Sequence, residues 1–241
     1  MAISTLIIIP TYNEKENVQL MIETLLTLST TTYHILIVDD NSPDGTAAIV
    51  VELQKKYNSH LFLLERESKE GIGPAYISGF NYAIENHYDR VMQMDCDFSH
   101  NPDYILDFLD FFKKNQSDFS IGSRYIQGIG VENWSLKRIL ISKGASIYIR
   151  FMLSLPIKDP TAGFSIISIH VLKDLFNKHS LHLCKGYGFQ IVLKFLAYKR
   201  GFKLHEFPII FTNRTQGYSK FTFSIFIEAL AKIPLIRFYG K

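Results

Sequence analysis

Two carboxylates separated by a single residue, Asp95-Cys96-Asp97, follow the apolar run Val91–Met94 and precede Phe98-Ser99-His100-Asn101-Pro102. If the chain bends there, both side chains reach one hard divalent cation, and Mg²⁺ or Mn²⁺ bridging a diphosphate suits such an oxygen-rich pair. An Asp-x-Asp on its own is commonly a solvated turn or a helix cap; its place at a strand end makes it a ligand candidate. Cys96 has no adjacent base to activate a thiol and reads as a small buried spacer. Three further polar clusters follow apolar runs: Thr11–Glu14, Asp39–Gly45 and Glu67–Gly73. The first offers an aromatic face and a carboxylate able to hold a base and ribose, though Thr11 or Asn13 would serve equally as a helix cap. The second joins a carboxylate pair to a Pro-Asp-Gly turn that any protein can contain.

These clusters need a scaffold. β-branched runs at Ser4–Ile9, Ile35–Val38, Leu61–Glu65, Val91–Met94 and Phe119–Gly122 alternate with helical periodicity, as in βαβ units that build a mostly parallel sheet. Val18, Met21, Ile22 and Leu25 repeat at helical spacing, as do Ile105, Leu106, Leu109 and Phe112 after Pro102. Open parallel sheets bind ligands beyond the carboxyl ends of their strands, where the polar clusters lie. The second half predicts a basic helix over about 135–155, a turn at Lys158–Gly163 and a short strand at Ser165–Ser168. A helix at Gly188–Lys199, a strand at Lys203–Phe211, a polar loop at Thr212–Lys220 and a closing helix from about Thr222 complete it. Gly71-Ile72-Gly73 is no dinucleotide fingerprint, because Tyr76 takes the third glycine position and the motif follows the third strand; no Walker sequence exists.

With 241 residues, 47% of them hydrophobic, the chain can bury one large core, and no repeat or low-complexity block divides it. A net charge of +3 does not point to nucleic acid. Cys96 and Cys184 form no metal or disulfide pattern, which fits a reducing cytosol. Leu6–Ile9 is too short for a signal peptide, and charges interrupt both Ser135–Ile157 and Phe221–Phe238, so no membrane span is expected. No histidine cluster suggests a metal; His100 reads as a helix-start residue, and Trp134 suits a membrane boundary or a core equally.

The series Pro10–Glu14, Val38–Thr46, Lys69–Tyr76, Asp95–Pro102, Gly122-Ser123-Arg124-Tyr125, Asp159-Pro160-Thr161-Ala162-Gly163-Phe164 and Arg214–Lys220 runs nearly the whole chain. It resembles the dolichol-phosphate (polyprenol-monophosphate) mannosyltransferases of glycosyltransferase family 2. The resemblance implies a single α/β domain over 1–241, a GT-A-like, Rossmann-type, mostly parallel sheet flanked by helices, with a nucleotide-sugar half (1–125) and an acceptor half (126–241). It implies that Pro10, Tyr12, Glu14, Val38 and Asp40 line the donor nucleotide. Asp95, Cys96 (through its backbone) and Asp97 would meet the diphosphate and its metal, with Ser99 nearby, while Arg124, Arg214 and Lys220 contact phosphate. Ser165 departs from the family pattern, in which Arg commonly follows Gly-Phe.

The implied reaction moves mannose from GDP-mannose to a polyprenyl phosphate with inversion. UDP-glucose is the alternative donor, a saccharide hydroxyl with Asp159 as base the alternative acceptor, and a non-catalytic nucleotide-sugar-binding subunit the alternative from another class. Physical reasoning agrees with the phosphate acceptor. A phosphate needs no strong base to act as nucleophile, and two anions brought together need a metal and cations such as Arg124, Arg214 and Lys220. Singly, each of those basic residues would be ordinary surface charge. Lys137, Arg138, Lys143 and Arg150 among Leu136, Ile139, Leu140, Ile141, Ile147, Ile149, Phe151 and Met152 suit a helix lying in a membrane interface, or equally a core helix with a basic face. The expected setting is therefore peripheral, on the cytoplasmic face of a membrane, with a membrane protein as an allowed partner.

Overall fold

The structure, a computed structural model, describes residues 5–29, 32–177, 188–212, 233–234 and 236–237. Among these, seven strands form one sheet: β1 (Thr5–Thr11), β2 (Tyr33–Asp39), β3 (Leu61–Glu65), β4 (Arg90–Gln93), β5 (Phe119–Ser123), β6 (Ser165–Ser168) and β7 (Leu204–Pro208). The helices are α1 (Val18–Leu28), α2 (Thr46–Tyr57), α3 (Ile72–Glu85), α4 (Tyr104–Lys114), α5 (Leu136–Leu153), α6 (Ile169–Asn177) and α7 (Gly188–Lys199). The strand order is β3-β2-β1-β4-β6-β5-β7. Every neighbouring pair is parallel except those made by β6, which lies antiparallel between β4 and β5.

Because strand side chains alternate between faces, each strand feeds two cores. Ile7, Ile9, Ile35, Ile37 and Met92 pack with α1 and α4, whereas Leu6, Ile8, Leu36, Val38 and Val91 pack with α3, α6 and α7. Both faces are covered, which is why these strands read as continuous apolar runs. Helix α1 buries Val18, Met21, Ile22 and Leu25 as its periodicity predicts. In α4 the buried set is Ile105, Phe108, Leu109 and Phe112; Leu106 is exposed, because the inward stripe passes through Phe108 instead.

The sheet gathers one end of the molecule. The carboxyl ends of β1, β2, β3, β4, β5 and β7 emerge at the same edge, and the reversed β6 enters from it. The turn Asp159–Gly163, which leads into β6, therefore joins the loops that follow the parallel strands. Strands β6 and β3 and helix α7 match the sequence reading residue for residue. Strand β7 stops at Pro208, short of the expected Phe211, since beyond it Phe211 leaves β5 and bridges His100 and Val131. The closing helix from Thr222 lies outside the described residues.

Candidate functional site at the carboxyl edge of the sheet

The loops after β1 and β2 are locked together by backbone donors of one and side chains of the other. Asn13, Glu14 and Lys15 donate their N–H groups to Ser42 Oγ, Thr46 Oγ1 and Asp44 Oδ2, each at 3.0 Å. Asp39, fully buried, accepts from Thr11 Oγ1 (2.7 Å) and from the Ser42 N–H and hydroxyl (2.8 and 2.7 Å). The Pro-Asp-Gly turn is thus scaffolding. Thr11 does not cap a helix: α1 begins only at Val18, and Thr11 is spent on Asp39. Asn13 and Asn41 take left-handed backbone, φ +55° each, a conformation asparagine tolerates better than most residues.

Asp40 turns the other way, toward the loop after β3. Arg66 Nη1 donates to its Oδ1 at 2.6 Å, and Arg66 Nη2 reaches Glu70 at 2.8 Å. Burial raises the Asp40 pKa above the ordinary carboxylate value, a shift that Arg66 opposes without cancelling. Lys69 Nζ sits 3.9 Å above the ring of half-buried Tyr12. Val38 is completely enclosed in the α3-side core, so its side chain offers this pocket no surface. Arg66 lies one residue before the Glu67–Gly73 cluster, directly after β3, where the same strand-end rule points to it.

After β4 the chain turns sharply. Phe98 has φ +60°, a left-handed conformation that costs a non-glycine residue about 1–2 kcal/mol, and such strain collects at functional sites. Asp97 is buried, and its Oδ1 accepts from the N–H (3.1 Å) and hydroxyl (2.6 Å) of Ser99. Ser99 therefore aims Asp97. Cys96 is buried, as a spacer should be. The bend leaves Asp95 and Asp97 close enough together that both charges act on the buried Tyr76 hydroxyl and on His100.

His100 is not a helix-start residue but the centre of the site. Its Nδ1 accepts from the Asp95 N–H at 3.1 Å, and its ring stacks on Phe164 at 5.2 Å and meets Phe211 edge-on at 5.5 Å. Burial lowers its pKa, against the pull of the carboxylates around it, so the ring is neutral with its proton on Nε2. Thr212 closes over the same loop, donating its N–H to Ser99 O and its hydroxyl to Phe98 O.

Arg124, the first residue after β5, faces this loop from across His100. Its Nε and Nη2 donate to the two oxygens of Asp159 at 2.7 Å each, Nη2 also reaches Thr161 Oγ1 at 2.7 Å, and its N–H bonds Asp159 Oδ2 at 3.1 Å. Asp159 is fully buried; burial alone would raise its pKa, but Arg124 outweighs that and holds it below the ordinary range. The rings of Tyr125, Trp134 and Phe211 surround the guanidinium. Trp134 is partly buried instead of core, and lies between Arg124 and Arg138, whose guanidinium is 3.8 Å from its ring. Gly130 lets the loop after β5 cross the exit of β7, since a Cβ there would fall 2.2 Å from Ile209 O. Asp95, Asp97, Arg124 and Asp159 all act electrostatically on the one His100 ring, so the acidic and basic sides share a site. Arg214 and Lys220 lie outside the described residues, as does Cys184.

Among the described residues no three His, Cys, Asp or Glu side chains gather as a closed metal site. The two carboxylates Asp95 and Asp97 nevertheless fit an ion of the Mg²⁺ or Mn²⁺ type, which binds through one or two carboxylates and completes its shell with substrate phosphate.

The model of glycosyl transferase family 2 matches residues 6–176, which hold β2 to β6 and all of β1 but its first residue. The chain belongs to glycosyl transferase family 2. Within that family it is similar to the polyprenol monophosphomannose synthase of Mycolicibacterium smegmatis, with 41% identity over 231 residues, 95% of this chain and 85% of that protein. It is also similar to the undecaprenyl-phosphate mannosyltransferase of Micrococcus luteus, with 36% identity over 230 residues, 95% of this chain and 91% of that protein. Among solved structures, the glucosyl-3-phosphoglycerate synthase of Mycobacterium tuberculosis in complex with phosphoglyceric acid superposes with a TM-score of 0.68 at 14% identity, covering 99% of this chain and 81% of that one. The same enzyme with Mn²⁺, uridine diphosphate and phosphoglyceric acid gives a TM-score of 0.67 at 14% identity, covering 97% and 76%. At such identity the likeness shows the fold. In this family 2 chain the resemblance read from the motifs Pro10–Glu14, Asp95–Pro102 and Asp159–Phe164 holds.

Proposed function

We propose that the chain transfers mannose from GDP-mannose to a polyprenyl phosphate, with inversion at the anomeric carbon, at a membrane surface. The observation that carries this reading is the pairing of Asp95 and Asp97 with Arg124 across a single buried histidine. One side suits a metal-bound diphosphate, the other an anionic acceptor. The names of the two relatives, a polyprenol monophosphomannose synthase and an undecaprenyl-phosphate mannosyltransferase, support the lipid phosphate and the sugar. Neighbours of the same fold hold Mn²⁺ with uridine diphosphate, which supports a divalent ion at Asp95 and Asp97.

In this reading a phosphate oxygen of the lipid forms a bond to the sugar's anomeric carbon as the bond from that carbon to the diphosphate oxygen breaks, and GDP departs with the electron pair. Asp95 and Asp97 would hold the metal, which would supply charge neutralisation for the departing diphosphate. Tyr12 offers its ring to the base, Asp40 and Glu14 offer acceptors to the nucleoside, and Arg66 holds Asp40 in place. Ser99 and His100 fix the carboxylate loop. Arg124 presents Nη1, the nitrogen not engaged by Asp159 or Thr161, to the acceptor phosphate, together with Arg214 and Lys220. No base is assigned, because the acceptor is ionised near neutral pH. With purified chain, Mn²⁺ and vesicles carrying polyprenyl phosphate, radiolabel from GDP-mannose is expected in the lipid fraction. Transfer from UDP-glucose alone would remove the mannose assignment, and transfer to a free sugar hydroxyl alone would remove the phosphate acceptor.

Helix α5 supports the membrane setting. Leu136, Leu140, Ile147 and Phe151 fall on one face and are 79%, 71%, 56% and 81% exposed, while Ala145, Ile149 and Leu153 face the core. Lys137 and Lys143 flank the exposed stripe. No helix among the described residues is long and apolar enough to cross a membrane, so the stripe suits a helix lying in the interface. Phe151→Glu is expected to weaken binding to anionic vesicles about tenfold, read by co-sedimentation. Unchanged binding would send α5 back to an ordinary surface helix.

A further inference from the structure

Helix α7 carries a lysine where its other residues are core. From Phe189 to Ala197 every residue is buried, and Lys194 is fully enclosed. Its ammonium has three donors and three neutral acceptors: Ala162 O at 2.6 Å, Gln190 O at 3.2 Å and Gln190 Oε1 at 3.4 Å. No carboxylate of the described residues touches it. An apolar side chain of similar length would fill this position without desolvating a charge, so core packing does not explain the lysine.

What it touches does. Ala162 belongs to the Asp159–Gly163 turn, and every part of that turn is held to the site. Asp159 is paired with Arg124, its N–H and that of Lys158 bond the Glu206 carboxylate at 2.9 and 2.7 Å, Thr161 bonds Arg124, and Phe164 stacks on His100. Arg124 and Asp159 together carry no net charge. A phosphate approaching that pair alone would meet a dipole instead of a cation.

We propose that Lys194 is a positioning residue for the anionic acceptor: from behind the turn it restores the positive charge that Asp159 removes from Arg124, leaving the guanidinium a net cation toward phosphate. The inference rests on the acceptor being a phosphate. Burial lowers the Lys194 pKa to about 7, with Asp159 and Glu206 opposing the shift and Arg124 adding to it. Among the described residues those three are the charged groups acting on it. The faces that α3 and α6 turn toward α7 carry Tyr76, Phe80, Leu172 and Leu175, and Asp174 of α6 pairs with Arg200 beyond the helix end. The Arg124–Asp159–Lys194 group therefore carries a net charge near +1 below neutrality and falls toward zero above it. Acceptor affinity follows.

The test is calorimetric binding of a prenyl difluoromethylphosphonate, whose headgroup stays a dianion over the range, to the full chain. Between about pH 6 and about pH 8.5, spanning the lowered lysine value, the parent's dissociation constant is expected to rise about tenfold. Lys194→Arg, which keeps its charge, should bind tightly at both values. Lys194→Met should bind weakly at both; if it does not fold, the parent and Lys194→Arg decide the matter. A parent constant that stays flat, no parent binding at either pH, or a pH step that survives in Lys194→Arg or Lys194→Met would overturn the inference. Binding is read without turnover, so failure of lipid transfer by the parent would strike the proposed function separately.

Discussion

Asp97→Ala is expected to lower sugar transfer on the order of a thousandfold, the size of effect seen when a preorganised group facing developing charge is removed. The carboxylate is buried, and Ser99 fixes one of its oxygens with two hydrogen bonds, so its direction is set before any ligand arrives. Asp97→Asn separates charge from scaffold. Its amide oxygen still accepts from Ser99, so the melting temperature stays within a few degrees of the parent, whereas transfer falls nearly as far as in the alanine variant. Chelation should abolish transfer by the parent, and adding Mn²⁺ or Mg²⁺ should restore it; neither ion should rescue Asp97→Asn. Transfer by Asp97→Ala within tenfold of the parent would remove Asp97 from the diphosphate site.

Asp159→Ala has the largest expected effect on stability. It leaves the Arg124 guanidinium 10% exposed and without its bidentate partner. Breaking a buried pair from one side costs about 3–5 kcal/mol. For a chain of this size that is a fall of about 10 °C in melting temperature, measurable by calorimetry. Replacing both partners, Arg124→Leu with Asp159→Leu, removes the unpaired charge and should recover much of the stability while transfer stays low. Recovery of transfer in the double variant would show that the pair serves folding alone.

The same pair sets an acid limit. Asp159 lies below the ordinary carboxylate value because Arg124 outweighs the cost of burial. Its contribution is fully present above the unfolded value of about 3.9 and is lost as pH falls through the lower folded value. A carboxyl so held is a poor general base, and among the described residues its hydrogen bonds come from Arg124 and Thr161. The geometry therefore gives no support to Asp159 as the base for a sugar hydroxyl.

How much of this was readable in residue order differs from one part of the chain to another. The run from β1 to β4 was legible because βαβ units leave local traces: an apolar run, a polar strand end, then helical spacing such as Val18, Met21, Ile22 and Leu25. Asp95-Cys96-Asp97 stood out because it sits where such a strand must end. Helices α2, α3 and α6 were harder to see, since α2 buries only Thr46 and Val50 fully and α3 is buried nearly all round, so neither shows a clean amphipathic stripe. His100 and Lys194 gave single-residue signals whose meaning depended on distant neighbours.

By itself the residue order determined the alternating α/β scaffold, the edge at which ligands belong, and the carboxylates that end β4. Those follow from periodicity and strand-end chemistry, which act over a few residues. Tertiary structure alone decided that β6 runs antiparallel between β4 and β5. That reversal delivers Asp159 to Arg124 over 35 positions of sequence and Ala162 to Lys194 over 32. Pairings at such separations depend on how the whole sheet closes and on which charges burial leaves needing a partner, and no local pattern records either.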